Sequence, residues 1–217
     1  MFSNARDAFT PRRQSVYERV LGERFAALDP QLREYFGFLP EGSRGVGVGT
    51  YTSAGLRMRM LWPVFVLLGW RGVAFPKREE LVPFVIENAA HADGSLSARR
   101  TFFFGSSTRM MVDSMRVDDE LLIDRVGRRG EFEVHLALSV VDGRLRMTSQ
   151  RLALRLGRLR VPLPAWATLV LEESAAAPGD RCQHVELTVN APVVGEIYGY
   201  SGAFTYERRT LTRRGAG

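Results

Sequence analysis

A single cysteine, Cys182, stands in 217 residues. One thiol cannot close an internal disulfide, so a disulfide-stapled scaffold is excluded and a reducing compartment fits. Cys182 lies two residues from His184 in Arg181-Cys182-Gln183-His184, on the same face of an expected strand. No third group in the sequence orients that pair, so nucleophilic catalysis is not expected. Lysine is almost missing too: Lys77 is the only one among 30 basic residues. The net charge of +6 therefore rests on arginine. Part of that bias fits the habit of a GC-rich genome, and part fits an anionic partner such as a phospholipid surface. The arginines are scattered along the chain rather than clustered, which argues against nucleic acid.

Long apolar runs are also missing. The longest, Leu61 to Trp70, has ten residues, and a bilayer-spanning helix needs about 20. Met1 to Arg13 is polar and shows no signal-peptide core. The expected location is cytoplasmic, with peripheral attachment at the inner membrane as the alternative. His91, His135 and His184 are far apart and form no ligand spacing, so no metal and no cofactor are expected. Neither a G-x-S-x-G elbow nor a GK[ST] phosphate loop occurs.

What the chain does have is alternation. From about Val82 to Tyr206, short segments of period two are cut by turn signals: Asp93-Gly94, Gly105-Ser106, Asp118-Asp119, Arg129-Gly130, Asp142-Gly143 and Pro178-Gly179-Asp180. Closely spaced strands with short turns predict an antiparallel sheet that curls on itself. Ahead of it, Val16, Val20, Leu21, Phe25 and Leu28 recur at helical spacing and predict a helix over Arg13 to Leu28. A second helical turn follows from Pro30 to Tyr35. Gly45-Val46-Gly47-Val48-Gly49 contains G-x-G-x-G, but a polar loop precedes it and Thr50-Tyr51-Thr52 continues as strand, so an edge strand is expected rather than a dinucleotide loop. Leu56 to Val73 is an apolar helical region in which Pro63 should start a new helix. The fold class is α+β: a strongly curved antiparallel sheet, barrel or half-barrel, lipocalin-like or helix-grip-like, with N-terminal helices against it. One domain is expected over residues 14–207, with tails 1–13 and 208–217.

Within the strands, Phe132, Val134, Leu136, Leu138 and Val140 share one face, and Glu131, Glu133 and His135 the other. Three consecutive rings, Phe102 to Phe104, cannot all face one core. Met110, Met111 and Met115 sit on one strand; methionine adapts to irregular cavities and apolar ligands. Val161-Pro162-Leu163-Pro164 should be a loop or an edge crossover. The last strand, Ile197 to Tyr206, collects Tyr198, Tyr200, Phe204 and Tyr206 on one face. Among polar residues, Arg100, Asp124 and Glu196 stand out: if turned inward, each demands a partner, and an inward Arg-carboxylate pair would orient a ligand's polar head.

Arg99-Arg100-Thr101-Phe102, Val161-Pro162-Leu163-Pro164, and the stretch from Ala191-Pro192-Val193-Val194-Gly195 through Tyr198-Gly199-Tyr200-Ser201-Gly202 resemble the corresponding motifs of a bacterial family, the domain of unknown function 4166 (DUF4166). The resemblance runs from about Tyr17 to Tyr206. Members of that family stand alone or follow saccharopine-dehydrogenase-like or short-chain-dehydrogenase-like modules, which implies a dehydrogenase-like partner. The resemblance carries over no catalytic residues.

The resulting expectation is a non-catalytic binder of a hydrophobic or amphipathic small molecule, lipid-like, held in the curved sheet. Its contacts would be Arg100, Phe102, Phe104, Met111, Asp124, Glu196, Tyr198 and Tyr200. The first alternative is an enzyme, or an accessory subunit of a dehydrogenase-type enzyme, that uses Arg100, Asp124 and Glu196. The second is a peripheral membrane protein that touches an anionic membrane surface or a partner through Trp62, Phe65 and Trp70.

Overall fold

The computed structural model describes residues 13–163, 167–176 and 181–210. Among them, eleven strands form one antiparallel sheet: β1 (Ser43–Leu56), β2 (Arg78–Ala90), β3 (Leu96–Phe104), β4 (Ser107–Asp118), β5 (Leu121–Val126), β6 (Phe132–Val141), β7 (Arg144–Leu156), β8 (Leu159–Leu163), β9 (Thr168–Ala175), β10 (Cys182–Ala191) and β11 (Gly195–Thr210). The strands pair in sequence from β1 to β7. From there β7 joins β9, β9 joins β10, β10 joins β11, and β11 returns to β1. The result is a closed ten-strand antiparallel barrel with β8 folded back on β7 outside the ring. Of the half-barrel and barrel expected, the chain adopts the closed form, consistent with a lipocalin-like barrel.

The hairpins follow from local chemistry. Asp142 and Gly143 both take positive φ, 49° and 77°, as a type I′ turn requires, and this turn's twist matches that of the strands it joins. Phe102 and Phe104 are buried while Phe103 is 43% exposed, so the ring between them leaves the core. Gly45 to Gly49 is not an edge: β1 is paired on both sides, with β2 and with β11. The glycines are there for close approach. A Cβ on Gly45 would lie 1.6 Å from the Tyr206 hydroxyl, and one on Gly49 2.1 Å from the Ala203 carbonyl. Val46 and Val48 share the outer face.

One joint of the ring is short. The first half of β7, Leu145 to Thr148, pairs with Glu173 to Val170 of β9. Its second half, Leu152 to Leu156, turns to β8 instead. Pro162 lies on β8, an edge strand, where its missing N–H costs no ladder bond. Pro164 and the Pro178-Gly179-Asp180 turn lie outside the described residues. β11 continues through Arg208 to Thr210, which pair with Gly45 to Ser43, so these three residues belong to the barrel rather than to a tail.

Helices close both ends. The first expected helix divides: α1 (Val16–Leu21) is followed by a 3-10 segment, Gly22–Ala27, because Gly22 takes φ 55° and breaks the α-helix. α1 starts on a capping box in which the Ser15 hydroxyl accepts from the Glu18 N–H at 3.0 Å and Glu18 Oε2 accepts from the Ser15 N–H at 2.7 Å. α2 (Pro30–Phe36) follows. Both pack at the end that holds the β2–β3 and β6–β7 turns: Arg19 donates to the Gly94 carbonyl and the Asp29 N–H to the Gly143 carbonyl. α3 (Trp62–Trp70) lies at the opposite end, tied by Arg57 N–H to the Ile197 carbonyl before it and by Arg128 N–H to the Arg71 carbonyl after it.

Candidate functional site

The barrel interior is solid on one side. Tyr51 of β1 stacks on Phe84 of β2 with ring centroids 3.8 Å apart, and Phe102 continues the stack at 5.3 Å from Tyr51. Phe75 meets Phe102, Phe104 and Tyr198 edge-on. Across from this stack, β4 to β7 and β9 to β11 surround a cavity of about 400 Å³. Most of its wall is apolar, with Met111, Met115, Val134, Leu136, Met147, Leu152, Leu171, Leu187 and Ile197 among the lining residues.

Four acidic or basic side chains interrupt that wall: Arg100 on β3, Asp113 on β4, Asp124 on β5 and Glu173 on β9. Strand register brings the first three together. Asp113 faces Ala98, diagonal to Arg100, and Asp124 faces Met115, diagonal to Asp113. Arg100 Nη1 donates to Asp113 Oδ2, with 14% and 0% of their side chains exposed. Neither Asp113 Oδ1 nor Asp124 Oδ1, both buried, finds a hydrogen-bond partner among the described residues. Glu173 accepts from the Gln183 amide at 2.5 Å. Tyr17 of α1 and Tyr35 of α2 line the cavity at this end, and the Tyr17 hydroxyl donates to the Met115 sulfur at 3.2 Å. The polar groups therefore gather toward the end capped by α1 and α2.

Burial sets the protonation of these groups. It pushes the Asp124 carboxyl well above the carboxylate range, with the neighbouring Asp113 charge as the next cause. It pushes Glu173 up to about 8, against the opposing hydrogen bond from Gln183 and the Arg100 charge. Burial works against the Arg100 charge and is the largest single influence, but Asp113 together with Tyr200, Tyr35 and Tyr51 outweighs it and keeps the guanidinium protonated.

The other end of the cavity is closed by α3. Leu61, Val64, Phe65 and Leu68 recur at i, i+3, i+4 and i+7 and line the cavity. The opposite face carries Trp62, Leu67 and Trp70, which are 55%, 54% and 73% exposed. Arg57, Arg59 and Arg71 flank the helix. No helix among the described residues is long and apolar enough to cross a membrane.

Of the residues singled out in the sequence, Arg100, Met111, Asp124, Tyr198 and Tyr200 line one cavity, and Phe65 lines it at the α3 end. Phe102 and Phe104 do not; they belong to the ring stack. Glu196 is not inside either. At the rim of the β10–β11 turn it pairs with Arg57 at 3.0 Å. Asp113, Glu173, Tyr17 and Tyr35 escaped the sequence reading. For the two acids the signal was present: Asp113 shares the face of Met111 and Met115, and Glu173 that of Leu169 and Leu171.

A separate charged centre sits outside the barrel wall. Glu133 on β6 has 3% of its side chain exposed and meets Arg160 at 2.7 Å, His135 at 3.0 Å, and Arg125 and Arg155 at 3.2 Å each. Arg160 comes from β8, so this cluster fastens the extra strand to the ring.

A Bacillus subtilis (strain 168) protein, named uncharacterized protein YndH, is 28% identical to this chain over 90% of its length and 98% of its own. No solved structure matches. The model of the family described as domain of unknown function (DUF4166) matches residues 28–204, from just before α2 of the helical cap to the last strand of the ring. With its motifs, its barrel and this match, the chain belongs to the DUF4166 family.

Proposed function

We propose that the protein binds a hydrophobic or amphipathic small molecule inside the barrel and performs no chemistry on it. The observation that carries this reading is the cavity of about 400 Å³ with an apolar wall and buried polar groups gathered toward one end. Small-molecule sites commonly occupy roughly 300–1,000 Å³ and combine apolar lining with a few placed polar groups. Gentle purification followed by native mass spectrometry and organic extraction tests the reading. A co-purifying apolar molecule that is lost in a folded Leu187→Trp variant, where the indole fills the cavity, is the expected result. Failure of any lipid or detergent-like probe to bind the emptied protein overturns it.

A second reading, docking to an anionic lipid surface, is supported by α3. A helix that is apolar on all sides is normally buried, yet Trp62, Leu67 and Trp70 face outward within a surround of arginines. Tryptophan with flanking basic residues suits the interface of an anionic bilayer. Flotation with vesicles containing phosphatidylglycerol should carry the protein at low salt and less of it at high salt. Equal recovery with purely zwitterionic vesicles would argue against the charge component, and no flotation at all against docking.

A further inference from the structure

We propose, resting on the reading of the cavity as an amphiphile site, that the ligand's buried polar end is a hydrogen-bond donor, an alcohol or an amine, and not an acid. The polar groups that line the cavity give an unequal count. Asp113, Asp124 and Glu173 bring three carboxyl groups; burial leaves Asp124 and Glu173 one proton each, so six carboxyl oxygens face two O–H donors, and Arg100 is the one cation among the charged residues that line it. That cation is already committed to Asp113 Oδ2. Asp113 Oδ1 and Asp124 Oδ1 have no hydrogen bond of good geometry from the described residues, although the Ala98 N–H acts on the Asp113 carboxyl, and the Asp113 residue is 5% exposed. A buried acceptor without a donor is costly. The tyrosine hydroxyls of Tyr17, Tyr35 and Tyr200 donate and accept alike, so they do not tip the balance.

A hydroxyl or ammonium group placed between Asp113 and Asp124 supplies the missing donors. A carboxylate in the same place would add a fourth acid to three and find no free counter-charge. Since the polar groups lie toward α1 and α2 and the apolar residues of α3 close the other end, the molecule is held head inward, with its chain toward α3.

Binding of four twelve-carbon probes to delipidated protein, below their aggregation limits, tests this: dodecanol, dodecylamine, dodecanoic acid and methyl dodecanoate. Displacement of a neutral polarity-sensitive dye reports occupancy. Dodecanol or dodecylamine should bind at least about tenfold more tightly than dodecanoic acid or the acceptor-only ester, the scale set by leaving a buried polar group unpaired. The better of the two donors tells an alcohol ligand from an amine. Dodecanoic acid binding as well as dodecanol overturns the head-group assignment and leaves the amphiphile reading standing. Failure of all four defeats the amphiphile reading itself. Asp124→Asn removes an acceptor and adds a donor, so a folded variant should narrow the gap between alcohol and acid, and an unchanged gap counts against the proposal. The wild-type series decides alone if that variant does not fold.

Discussion

Glu173 and Glu133 are both buried carboxyls, and they tilt the pH dependence of folding in opposite directions. Burial raises Glu173 from its ordinary 4.5 to about 8. Between those values the folded chain holds a proton that the unfolded chain has released, so stability falls as pH rises through this window. The stability lost across the window is on the order of 5 kcal/mol. Glu173→Gln should flatten that decline, as read from urea midpoints near pH 5 and near pH 9; an unchanged slope would mean Glu173 is not buried in solution. Burial alone would raise Glu133 as well, but hydrogen bonds from Arg160, His135 and Arg125 overrule it and bring the carboxyl down to about 2. Its stabilisation is present above about 4.5 and is lost as pH falls toward 2. Glu133→Ala should cost about 2–3 kcal/mol at neutral pH, since it strips charged hydrogen bonds from several cations at once. A smaller change in chemical denaturation would show those arginines to be satisfied by water. Residue reading reached Arg100 because it precedes the aromatic run Phe102 to Phe104, and Asp124 because it is an acid between Ile123 and Arg125 within a strand. It missed Asp113 and Glu173 because their parity with Met111 and Met115 and with Leu169 and Leu171 is marked by no turn or aromatic run beside them. It misplaced Glu196, whose parity matches Tyr198 and Tyr200, because the turn holds it at the rim beside Arg57.

At the scale of elements, α3 serves two environments with one short sequence. Phe65 is 7% exposed and stacks on Tyr198 with centroids 5.3 Å apart. Trp62 and Trp70, a few residues away, are mostly in solvent. Truncation should therefore split the two faces. Phe65→Ala should cost about 3–5 kcal/mol. The double change Trp62→Ser and Trp70→Ser should stay within about 0.5 kcal/mol per site in thermal melts, because neither side chain is buried. A large loss from the tryptophan pair would show that this face is covered in solution. The helix was legible from its apolar run and from Pro63, but its two faces were not. With every position apolar, composition carries no sign of which side meets the core. Strand positions in hairpins were legible because Asp142-Gly143 and its like encode the turn locally. The division of the first helix at Gly22 was not, since a helical stripe continues across it.

Closure is a property of the whole molecule and was the least legible part of the fold. Ser43 pairs with Thr210 and Arg44 with Arg209, contacts between opposite ends of the chain that no local pattern announces. The glycines of β1 hinted at close approach without naming the partner, Tyr206 and its neighbours on β11. The same holds for the cavity, because its walls come from strands that no single segment contains.

The short β7–β9 joint gives the ring a breathing point. Among the described residues every other seam of the ring pairs more residues, β5–β6 by only one, while Leu145 to Thr148 carries this one, crossed on the outside by the Arg146–Glu172 ion pair. Local opening is cheapest where the fewest ladder bonds break. Backbone amides of β9 should thus exchange with deuterium sooner than those of β1 and β11, and uniform protection around the ring would refute this. A disulfide formed after Arg146→Cys and Glu172→Cys would staple the joint, which slows any guest's release while leaving its equilibrium fit nearly unchanged. The barrel is closed in its topology, and its residence times would be set by one seam.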